Sequence, residues 1–282
     1  MSFCTELEKA AEVLGRSEAV VVGAGSGLSA SAGLTYDGPR FQEHFADFIA
    51  RYHVTDMYSA GFYPYPTQEE YWAYWSRHIW WNRYAQDGGA VYGRLLELVG
   101  KKDYFVLTTN VDHCFQRAGF DKKRLFYTQG DYGLFQCAKP CHGKTYDNRA
   151  AVARMVKEQR DLRVPPELVP WCPVCGGPMM PNLRCDGRFV EDEGWRAAQE
   201  RCRDFLRRHL RDRIVFLELG VGNNTPGIIK YPFWRMTAEN SSAWYVCVNQ
   251  GQAWAPEAIR TQSVCLDGDI GTVLEKMGGG WL

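Results

Sequence analysis

Residues 19–34 read AVVVGAGSGLSASAGL, a continuous apolar run that passes directly into a segment rich in glycine and serine. An apolar run without alternation is typical of a strand buried on both faces of a parallel sheet. Glycines at such a turn let the backbone approach a pyrophosphate closely, and the N-terminus of the following helix supplies N–H donors. Because the spacing is not a clean G-x-G-x-x-G, a tight strand-to-helix turn without a ligand is the alternative interpretation.

Three further apolar runs predict the rest of a parallel sheet. They are residues 104–107 (YFVL), 214–217 (IVFL) and 244–248 (WYVCV), and helical patterns lie between them. Strands that alternate with helices predict an α/β fold with a Rossmann-like, doubly wound parallel sheet. Apolar residues at helical spacing also predict a helix from Thr5 to Gly15, ahead of the first strand.

The composition is that of a globular protein, with 282 residues of which 45% are hydrophobic. Its 33 basic and 33 acidic residues give a formal net charge of zero. The global charge therefore does not indicate a nucleic acid or an anionic membrane as a partner. No stretch approaches the roughly 20 apolar residues that a membrane helix needs, and the N-terminus does not resemble a signal peptide. These features predict a cytoplasmic protein with reduced cysteines.

Two segments interrupt the alternation of strands and helices. Residues 58–87 are rich in aromatic side chains, for which core packing and the wall of a substrate cleft are alternative interpretations. Within them, Thr67 and Glu70 form the pattern of a capping box that opens a helix. Residues 130–192 hold two cysteine pairs, many prolines and little periodicity, as expected of a small metal-stabilised module. We predict a single domain over residues 1–282, with a Rossmann-like core at about 5–57, 88–129 and 212–277, a helical insert at about 58–87 and a zinc module at about 130–192.

The two cysteine pairs have the spacing of a structural zinc site. Cys137 and Cys141 are separated by three residues, and Cys172 and Cys175 by two, with two glycines after the second pair. Four thiolates in two close pairs bind zinc tetrahedrally and leave no open position for catalysis. Four buried thiols without a metal are the alternative interpretation.

Polar or small residues follow several of the predicted strands. Asn110 and Asp112 come directly after residues 104–107, and Gly220 and Gly222 come after residues 214–217. In an open α/β sheet, ligands bind beyond the carboxyl ends of the strands, where one dinucleotide could contact all these residues. Helix capping is the alternative role for the amide and the carboxylate. Asn249 and Asp269 end or follow the later strands in the same way.

Taken together, these motifs resemble those of the sirtuin (Sir2) family over nearly the whole chain, from about Ala19 to Leu274. Residues 25–34 resemble the family's Gly-Ala-Gly-Ile-Ser-Ala-Glu-Ser-Gly-Ile NAD loop, and residues 109–112 resemble its Gln-Asn-Ile-Asp motif. Residues 220–222 resemble its Gly-Thr-Ser loop, and the cysteine pairs stand where the family has its zinc module. The resemblance implies an enzyme that binds NAD, breaks its nicotinamide–ribose bond and contains structural zinc.

The sequence also departs from the common pattern of this family. The family's catalytic histidine, in a His-Gly pair, is replaced by Gln129 before Gly130, and the glutamine of its Gln-Asn-Ile-Asp motif is Thr109. Its Phe-Arg pair falls on residues 37–38, with Arg40 just beyond. These departures resemble the macrodomain-linked (class M) sirtuins, which are protein ADP-ribosyltransferases. That branch implies a lipoylated glycine-cleavage H-like carrier as the acceptor and an operon-linked macrodomain hydrolase as a further partner.

The resemblance implies specific roles for the site residues. Asn110 would hold the reacting ribose hydroxyl or an attacking group, and Asp112 would bind the nicotinamide carboxamide. Gln129 would orient ribose hydroxyls without removing a proton, because glutamine has no titratable proton near neutral pH. We therefore expect weak or absent deacetylation. The residues expected to bind the cofactor are Gly25, Ser26, Gly27, Ser29, Tyr36 and Arg40 around the pyrophosphate loop, and Gly220, Gly222, Asn249 and Asp269 around the adenosine.

Two other functions are compatible with the same residues. The chain could be a deacylase or a plain NAD hydrolase that tolerates Gln129, or a sensor that binds NAD or ADP-ribose without turnover. Asn110 and Asp112 argue against the sensor, because a pure binding protein has less need of polar groups at the nicotinamide end.

Overall fold

A six-stranded parallel sheet forms the centre of the larger part of the molecule. The computed structural model describes residues 3–86, 88–222 and 226–278. The strands are β1 (Ala19–Ala24), β2 (Asp103–Thr108), β3 (Leu125–Tyr127), β4 (Gly130–Cys137), β5 (Tyr146–Asp147), β6 (Met179–Leu183), β7 (Ile214–Leu219), β8 (Trp244–Asn249) and β9 (Ser263–Asp267). The order in the large sheet is β3-β2-β1-β7-β8-β9. The four strands predicted from the apolar runs are observed as β1, β2, β7 and β8, whereas the edge strands β3 and β9 were not predicted.

Helices cover both faces of this sheet. The α-helices are α1 (Phe3–Arg16), α2 (Ser26–Ser31), α3 (Gly38–Tyr52), α4 (Met57–Gly61), α5 (Gln68–Ile79), α6 (Gly89–Val99), α7 (Cys114–Arg117), α8 (Arg149–Glu158), α9 (Glu193–Arg208), α10 (Lys230–Glu239) and α11 (Ile270–Gly278). Alternate side chains of a strand point to opposite faces. Val22 of β1 accordingly packs in a core with residues of α1, α6 and α11, and Val21 packs in a second core with residues of α9 and α10. The predicted doubly wound α/β fold is confirmed.

The register of the sheet brings the carboxyl ends of its central strands to one level. Ala24, the last residue of β1, pairs with Thr108 of β2 and with Leu219 of β7. Leu219 in turn pairs with Val248 of β8. The segments that follow these strands therefore begin at the same edge of the sheet, where the predicted site residues lie.

A smaller unit is built from the two segments that interrupt the alternation. Strands β5, β4 and β6 form an antiparallel sheet in that order. Trp72 of α5 contacts Phe135 of β4 with ring centroids 4.6 Å apart, and Phe45 of α3 is buried in the same core. The aromatic segment and the cysteine-containing segment therefore share one hydrophobic core. Large aromatics account for much of it, as the core-packing interpretation expects.

Helix α5 begins at the predicted capping pattern. The Thr67 Oγ1 accepts a hydrogen bond from the Glu70 backbone N–H at 3.3 Å. The Glu70 carboxylate pairs with Arg163 at 2.9 Å. At its other end the helix continues into a π-helical turn, Trp80–Tyr84, a rare geometry that is frequent near functional sites.

Within the described ranges, the helices are all too short or too polar to cross a membrane.

Candidate NAD-binding and catalytic site

Two glycine-rich segments meet backbone to backbone at the edge of the sheet. Gly25 N–H donates to the Leu219 carbonyl and Gly27 N–H donates to the Gly220 carbonyl, both at 3.0 Å. A Cβ atom on Gly25 would lie 2.6 Å from the Gly220 oxygen, closer than real Cβ contacts allow. Gly220 itself has a φ of +61°, which favours glycine. These glycines therefore let the segment after β1 pack against the segment after β7.

Ser29 of α2 connects the first of these segments to the residues after β2. Its hydroxyl donates to Asp112 Oδ2 at 2.5 Å and lies 2.8 Å from the Tyr92 hydroxyl. Asn110 Nδ2 donates to Ser29 Oγ and to the Gly25 carbonyl, both at 2.9 Å. Asn110 and Asp112, which were predicted to lie beside the glycine-rich turn, therefore contact its residues directly.

The Asp112 carboxylate is buried, and each of its two oxygens accepts a hydrogen bond. Its Oδ1 accepts from the Cys114 backbone N–H at 2.9 Å, opposite the bond from Ser29. Burial raises the pKa of Asp112 above its ordinary value, although these two hydrogen bonds act to lower it. Among the described residues, Asn110 Oδ1 has no hydrogen-bond partner, which leaves one acceptor at the centre of the site for a ligand.

Gln129 lies at the junction between the large sheet and the small one. It directly precedes Gly130, where the backbone has a φ of +96° and a Cβ atom would lie 2.0 Å from the Asn182 oxygen. The Gln129 carbonyl accepts from the Arg184 N–H at 2.9 Å. Its side chain is partly exposed, and among the residues that the structure describes its one hydrogen-bonding contact is a long one of 3.5 Å, to Thr128 Oγ1.

A group of residues that the sequence did not predict lies beside these motifs. His113 Nδ1 is 2.8 Å from Asp131 Oδ2, and Arg83 Nε is 2.8 Å from Asp131 Oδ1. His113 is the next residue after Asp112, and Asp131 is two residues after Gln129. The closeness of His113 and Asp131 in sequence to Asp112 and Gln129 could have indicated them as site residues. Their pairing with each other depends on the tertiary fold.

Arg40 bonds to the aromatic segment, and Tyr36 bonds to β4. The Arg40 guanidinium donates to the carbonyls of Thr35 and Trp81 at 2.9 and 2.7 Å, and to Asn82 Oδ1 at 2.8 Å. The Tyr36 hydroxyl is 2.7 Å from that of Tyr132, and burial raises the pKa of Tyr36 to about 12. Arg40 thus holds α3 against the π-helical turn, and its contact with a pyrophosphate stays a prediction.

The residues predicted around the adenosine lie along the same edge. Asn249 Nδ2 donates to the Val221 carbonyl at 3.1 Å, next to Gly220 and Gly222. Asp269 Oδ2 accepts from the Ser31 hydroxyl at 2.7 Å, and its Oδ1 accepts from the Thr272 N–H at 2.8 Å. Asp269 therefore caps α11 and joins it to α2. Residues 223–225, which follow Gly222, lie outside the described residues.

The four predicted zinc ligands come together in the smaller unit. The sulfur atoms of Cys137, Cys141, Cys172 and Cys175 all lie within 4.8 Å of one another. Those of Cys137 and Cys175 are 3.6 Å apart, as are those of Cys141 and Cys172. Zn–S bonds of about 2.3 Å in a tetrahedron place the sulfurs about 3.8 Å apart, so the cluster fits zinc.

Comparison with curated proteins gives relatives over nearly the whole chain. A protein ADP-ribosyltransferase of Staphylococcus aureus is 40% identical over 95% of this chain and 87% of the relative. A probable bifunctional ADP-ribose hydrolase/ADP-ribosyltransferase of Fusarium oxysporum f. sp. cubense is 30% identical over 95% of this chain and 47% of the relative. An NAD-dependent protein deacylase of Pseudomonas putida is 26% identical over 69% of each. No protein-family model matches the chain.

Solved structures share the fold at low identity. One described as "Structural Basis for the Mechanism and Regulation of Sir2 Enzymes" has a TM-score of 0.59 and 20% identity over 97% of this chain and 96% of that one. Another, "Structure of Sir2Tm bound to a propionylated peptide", has a TM-score of 0.57 and 18% identity over 96% of both chains. The architecture is thus that of Sir2 enzymes.

Proposed function

Because this chain belongs to the sirtuin (Sir2) family, we propose that it is an NAD-dependent protein ADP-ribosyltransferase. It breaks the nicotinamide–ribose bond of NAD and transfers ADP-ribose to a protein side chain. The name of the 40% identical Staphylococcus aureus relative supports this reaction. The observation that carries the proposal is Gln129, which by the resemblance to the family stands where deacylating sirtuins have a histidine base.

The substitution separates the two reactions that a sirtuin site can perform. Deacylation needs a base that acts on a ribose hydroxyl, and the loss of a general base typically lowers a rate by about 10²–10⁴-fold. Gln129 can only donate and accept hydrogen bonds, so it orients the ribose without removing its proton. ADP-ribosyl transfer avoids that step, since the acceptor attacks ribose C1′ as nicotinamide leaves.

The buried cluster around Asp112 supplies the positioning that this transfer requires. Asn110, anchored by Ser29 and Gly25, presents its Oδ1 toward the reacting ribose. Asp112 binds the nicotinamide carboxamide and fixes Ser29. Such fixed polar groups accelerate a reaction by orientation and by stabilising the positive charge that develops on the ribose. The glycine-rich segments at residues 25–29 and 220–222 bind the pyrophosphate and adenosine, together with Asn249 and Asp269.

Zinc would be held by the four-cysteine cluster and would stabilise the smaller unit, without taking part in the reaction. Such reduced cysteines are in keeping with a cytoplasmic protein.

The acceptor is a protein, and we propose a lipoylated carrier of the glycine-cleavage H type. This assignment rests on the resemblance to the macrodomain-linked branch. The Fusarium relative, whose name joins an ADP-ribose hydrolase to an ADP-ribosyltransferase, supports a partner that reverses the modification.

Deacylation is the second candidate function. The Pseudomonas deacylase and the fold shared with a propionyl-peptide complex favour it, but both relationships are more distant than that to the transferase.

One experiment distinguishes these reactions. NAD labelled in its adenosine is incubated with a lipoylated carrier, an acetylated peptide and the wild-type protein, a Gln129→His variant or an Asn110→Ala variant. We expect label on the carrier with wild type, none with Asn110→Ala, and an untouched peptide. Deacetylation of the peptide by wild type would return the chain to the deacylases. Tight NAD binding without any turnover would favour a sensor.

A further inference from the structure

We propose that the Tyr36 hydroxyl accepts a hydrogen bond from the carboxamide NH₂ of NAD, and that His78 and Tyr132 are positioning residues that prevent this hydroxyl from donating. The inference rests on the proposed function, because it concerns how the site recognises the nicotinamide end of NAD. It assigns the site a preference for a pyridine that carries an amide over one that carries only hydrogen-bond acceptors.

A network of hydrogen bonds runs from Tyr36 into the core of the smaller unit. The Tyr36 hydroxyl is 2.7 Å from that of Tyr132, which is 2.8 Å from His78 Nε2. His78 Nδ1 is 3.2 Å from the Tyr74 hydroxyl, which donates to the Met57 carbonyl. Tyr132, His78 and Tyr74 are each at most 5% exposed, so their polar atoms depend on one another for hydrogen bonds.

The Met57 carbonyl fixes the direction of every hydrogen bond in this network. A carbonyl can only accept, so Tyr74 uses its one hydroxyl proton there, and its oxygen accepts from His78 Nδ1. Burial lowers the pKa of His78 to about 3, so the ring is neutral and carries its single proton on Nδ1. Nε2 therefore accepts from the Tyr132 hydroxyl, whose oxygen accepts from Tyr36. The Tyr36 proton is thus directed inward, and its lone pair is left for a ligand.

The outer end of the network lies near the carboxylate that we assign to the nicotinamide carboxamide. The Tyr132 N–H donates to the Val111 carbonyl at 3.0 Å, and Val111 directly precedes Asp112. Burial raises the pKa of Tyr36 to about 12, and the negative charge of Asp112 adds to this increase. The Tyr36 hydroxyl therefore keeps its proton at neutral pH. It is half-buried, and in the described part of the chain its one hydrogen-bond partner is Tyr132.

The backbone holds Tyr36 in place from two sides. The Tyr36 carbonyl accepts from the Met57 N–H at 2.7 Å, so the residue that orients the far end of the network also fixes Tyr36. Two residues before Tyr36, the Leu34 N–H donates to the Ser29 carbonyl at 2.9 Å, and the Ser29 hydroxyl donates to Asp112. Tyr36 is therefore tied to the Asp112 carboxylate through the NAD loop as well as through Tyr132.

Only a hydrogen-bond donor fits an oxygen that is held in this way. The nicotinamide carboxamide supplies an NH₂ group, whereas a methyl ketone or a carboxylate at the same position has acceptors only. A site that accepts from a substrate N–H disfavours an analogue that lacks it, because the oxygen of the site is then left unpaired. Tyr36 and Asp112 would each accept one of the two amide protons.

The dinucleotide with 3-acetylpyridine in place of nicotinamide tests this recognition, because a methyl group replaces the amide NH₂. Its dissociation constant and that of NAD are measured without an acceptor protein, for wild type and Tyr36→Phe. Wild type should bind NAD more tightly than the analogue. We expect Tyr36→Phe to weaken NAD binding by about 3- to 10-fold, the effect of one neutral hydrogen bond, and to leave binding of the analogue unchanged. Equal weakening of both dinucleotides, or of neither, would overturn the inference.

Tyr132→Phe tests the direction of the network. It removes the acceptor of the Tyr36 proton and frees the Tyr36 hydroxyl to donate to the ketone oxygen of the analogue. We expect this variant to bind the analogue about 3- to 10-fold more tightly than wild type does, and the double variant with Tyr36→Phe to lose the gain. A loss of packing alone would weaken both dinucleotides. Unchanged or weaker binding of the analogue would contradict the positioning role of Tyr132.

A matched control and a turnover measurement complete the experiment. Tyr104→Phe also removes a buried tyrosine hydroxyl, which accepts from the Asp121 N–H at 3.4 Å near the start of β2, and it should change neither dissociation constant. Nicotinamide release and ADP-ribosyl transfer are measured separately with NAD. Selective binding of NAD without turnover would refute the transferase and leave the inference standing. If wild type binds neither dinucleotide, both fail.

Discussion

The hydroxyl of Ser29 donates a hydrogen bond to Asp112 Oδ2 at 2.5 Å, across 83 residues of sequence. This bond joins the glycine-rich segment after β1 to the segment after β2, and both partners are buried. Because Asn110 also bonds to Ser29, one hydroxyl fixes both residues that we assign to the nicotinamide end of NAD.

Replacing Ser29 with alanine should disturb this arrangement. Asp112 would lose the Ser29 hydroxyl from its Oδ2, and a buried polar group that loses its partner destabilises a protein by about 1–3 kcal/mol. We expect the free energy of unfolding, measured in urea, to decrease by that amount. The rate of nicotinamide release should decrease about 10²-fold, as for a displaced reacting group. Exposed Ser59→Ala, which removes a surface bond to Asp56, is the control. Equal behaviour of the two variants would remove Ser29 from this role.

Replacing Gly25 with alanine tests the contact between the two glycine-rich segments. The added Cβ would meet the Gly220 oxygen at 2.6 Å and the Val221 Cα at 2.7 Å, and neither backbone can yield without moving its strand. Overpacking of this kind costs about 1–3 kcal/mol, and we expect NAD binding to be lost. Gly93→Ala in α6 is matched to it, because nothing lies within 4 Å of its added Cβ. The Gly93→Ala variant should be more stable than wild type by about 0.5–1 kcal/mol. If Gly25→Ala still binds NAD, the expected packing of the two glycine-rich segments is wrong.

Much of the fold could be predicted because its central strands are buried on both faces. β1, β2, β7 and β8 each carry a continuous apolar run, which is a local signal. β3 has three residues at the edge of the sheet, and its run is too short to be distinguished from a loop. The strand at the other edge of the sheet, β9, was likewise not predicted from the sequence.

The site could be predicted only where it follows directly from strand ends. Asn110 and Asp112 stand just after β2, so topology alone brings them to the glycine-rich segment. The pairing of His113 with Asp131 and Arg83 depends on how the smaller unit packs on the sheet, which no local pattern encodes. Arg40 shows the same limit, since its bonds to the Trp81 carbonyl and to Asn82 exist only because a π-helical turn presents them.

Zinc removal should affect the smaller unit first. Cys175→Ser removes one of four ligands, and metal binding is coupled to folding in such sites. We expect less than one zinc per chain by elemental analysis and faster proteolysis within residues 130–192. Cys185→Ser is the matched control, because exposed Cys185 lies outside the cluster and its thiol lies 3.6 Å from the Leu183 carbonyl. Full zinc content in Cys175→Ser, or an intact protein without zinc, would refute the structural role.

Stability should decrease in mild acid because of His78. This histidine is buried, with Nε2 2.8 Å from the Tyr132 hydroxyl and Nδ1 3.2 Å from that of Tyr74, and burial lowers its pKa to about 3. In the unfolded chain it titrates near 6.5. Between these two pKa values the unfolded chain binds a proton that the folded chain does not. The free energy of unfolding therefore decreases by up to about 1.4 kcal/mol for each unit by which the pH is lowered.

Urea unfolding at pH 7.5 and at pH 5.5 measures this effect. For wild type, His78 should contribute a loss of about 1.4 kcal/mol between the two values. His78→Gln keeps hydrogen-bonding groups but cannot titrate. Whatever the absolute stability of this variant, its free energy of unfolding should therefore decrease less than that of wild type between the two pH values, by the contribution of His78. His53→Asn, at an exposed position with a φ of 55°, should retain the wild-type dependence. An equal pH dependence in wild type and His78→Gln would mean that His78 takes up its proton without unfolding, and that the buried contact with Tyr132 tolerates an imidazolium.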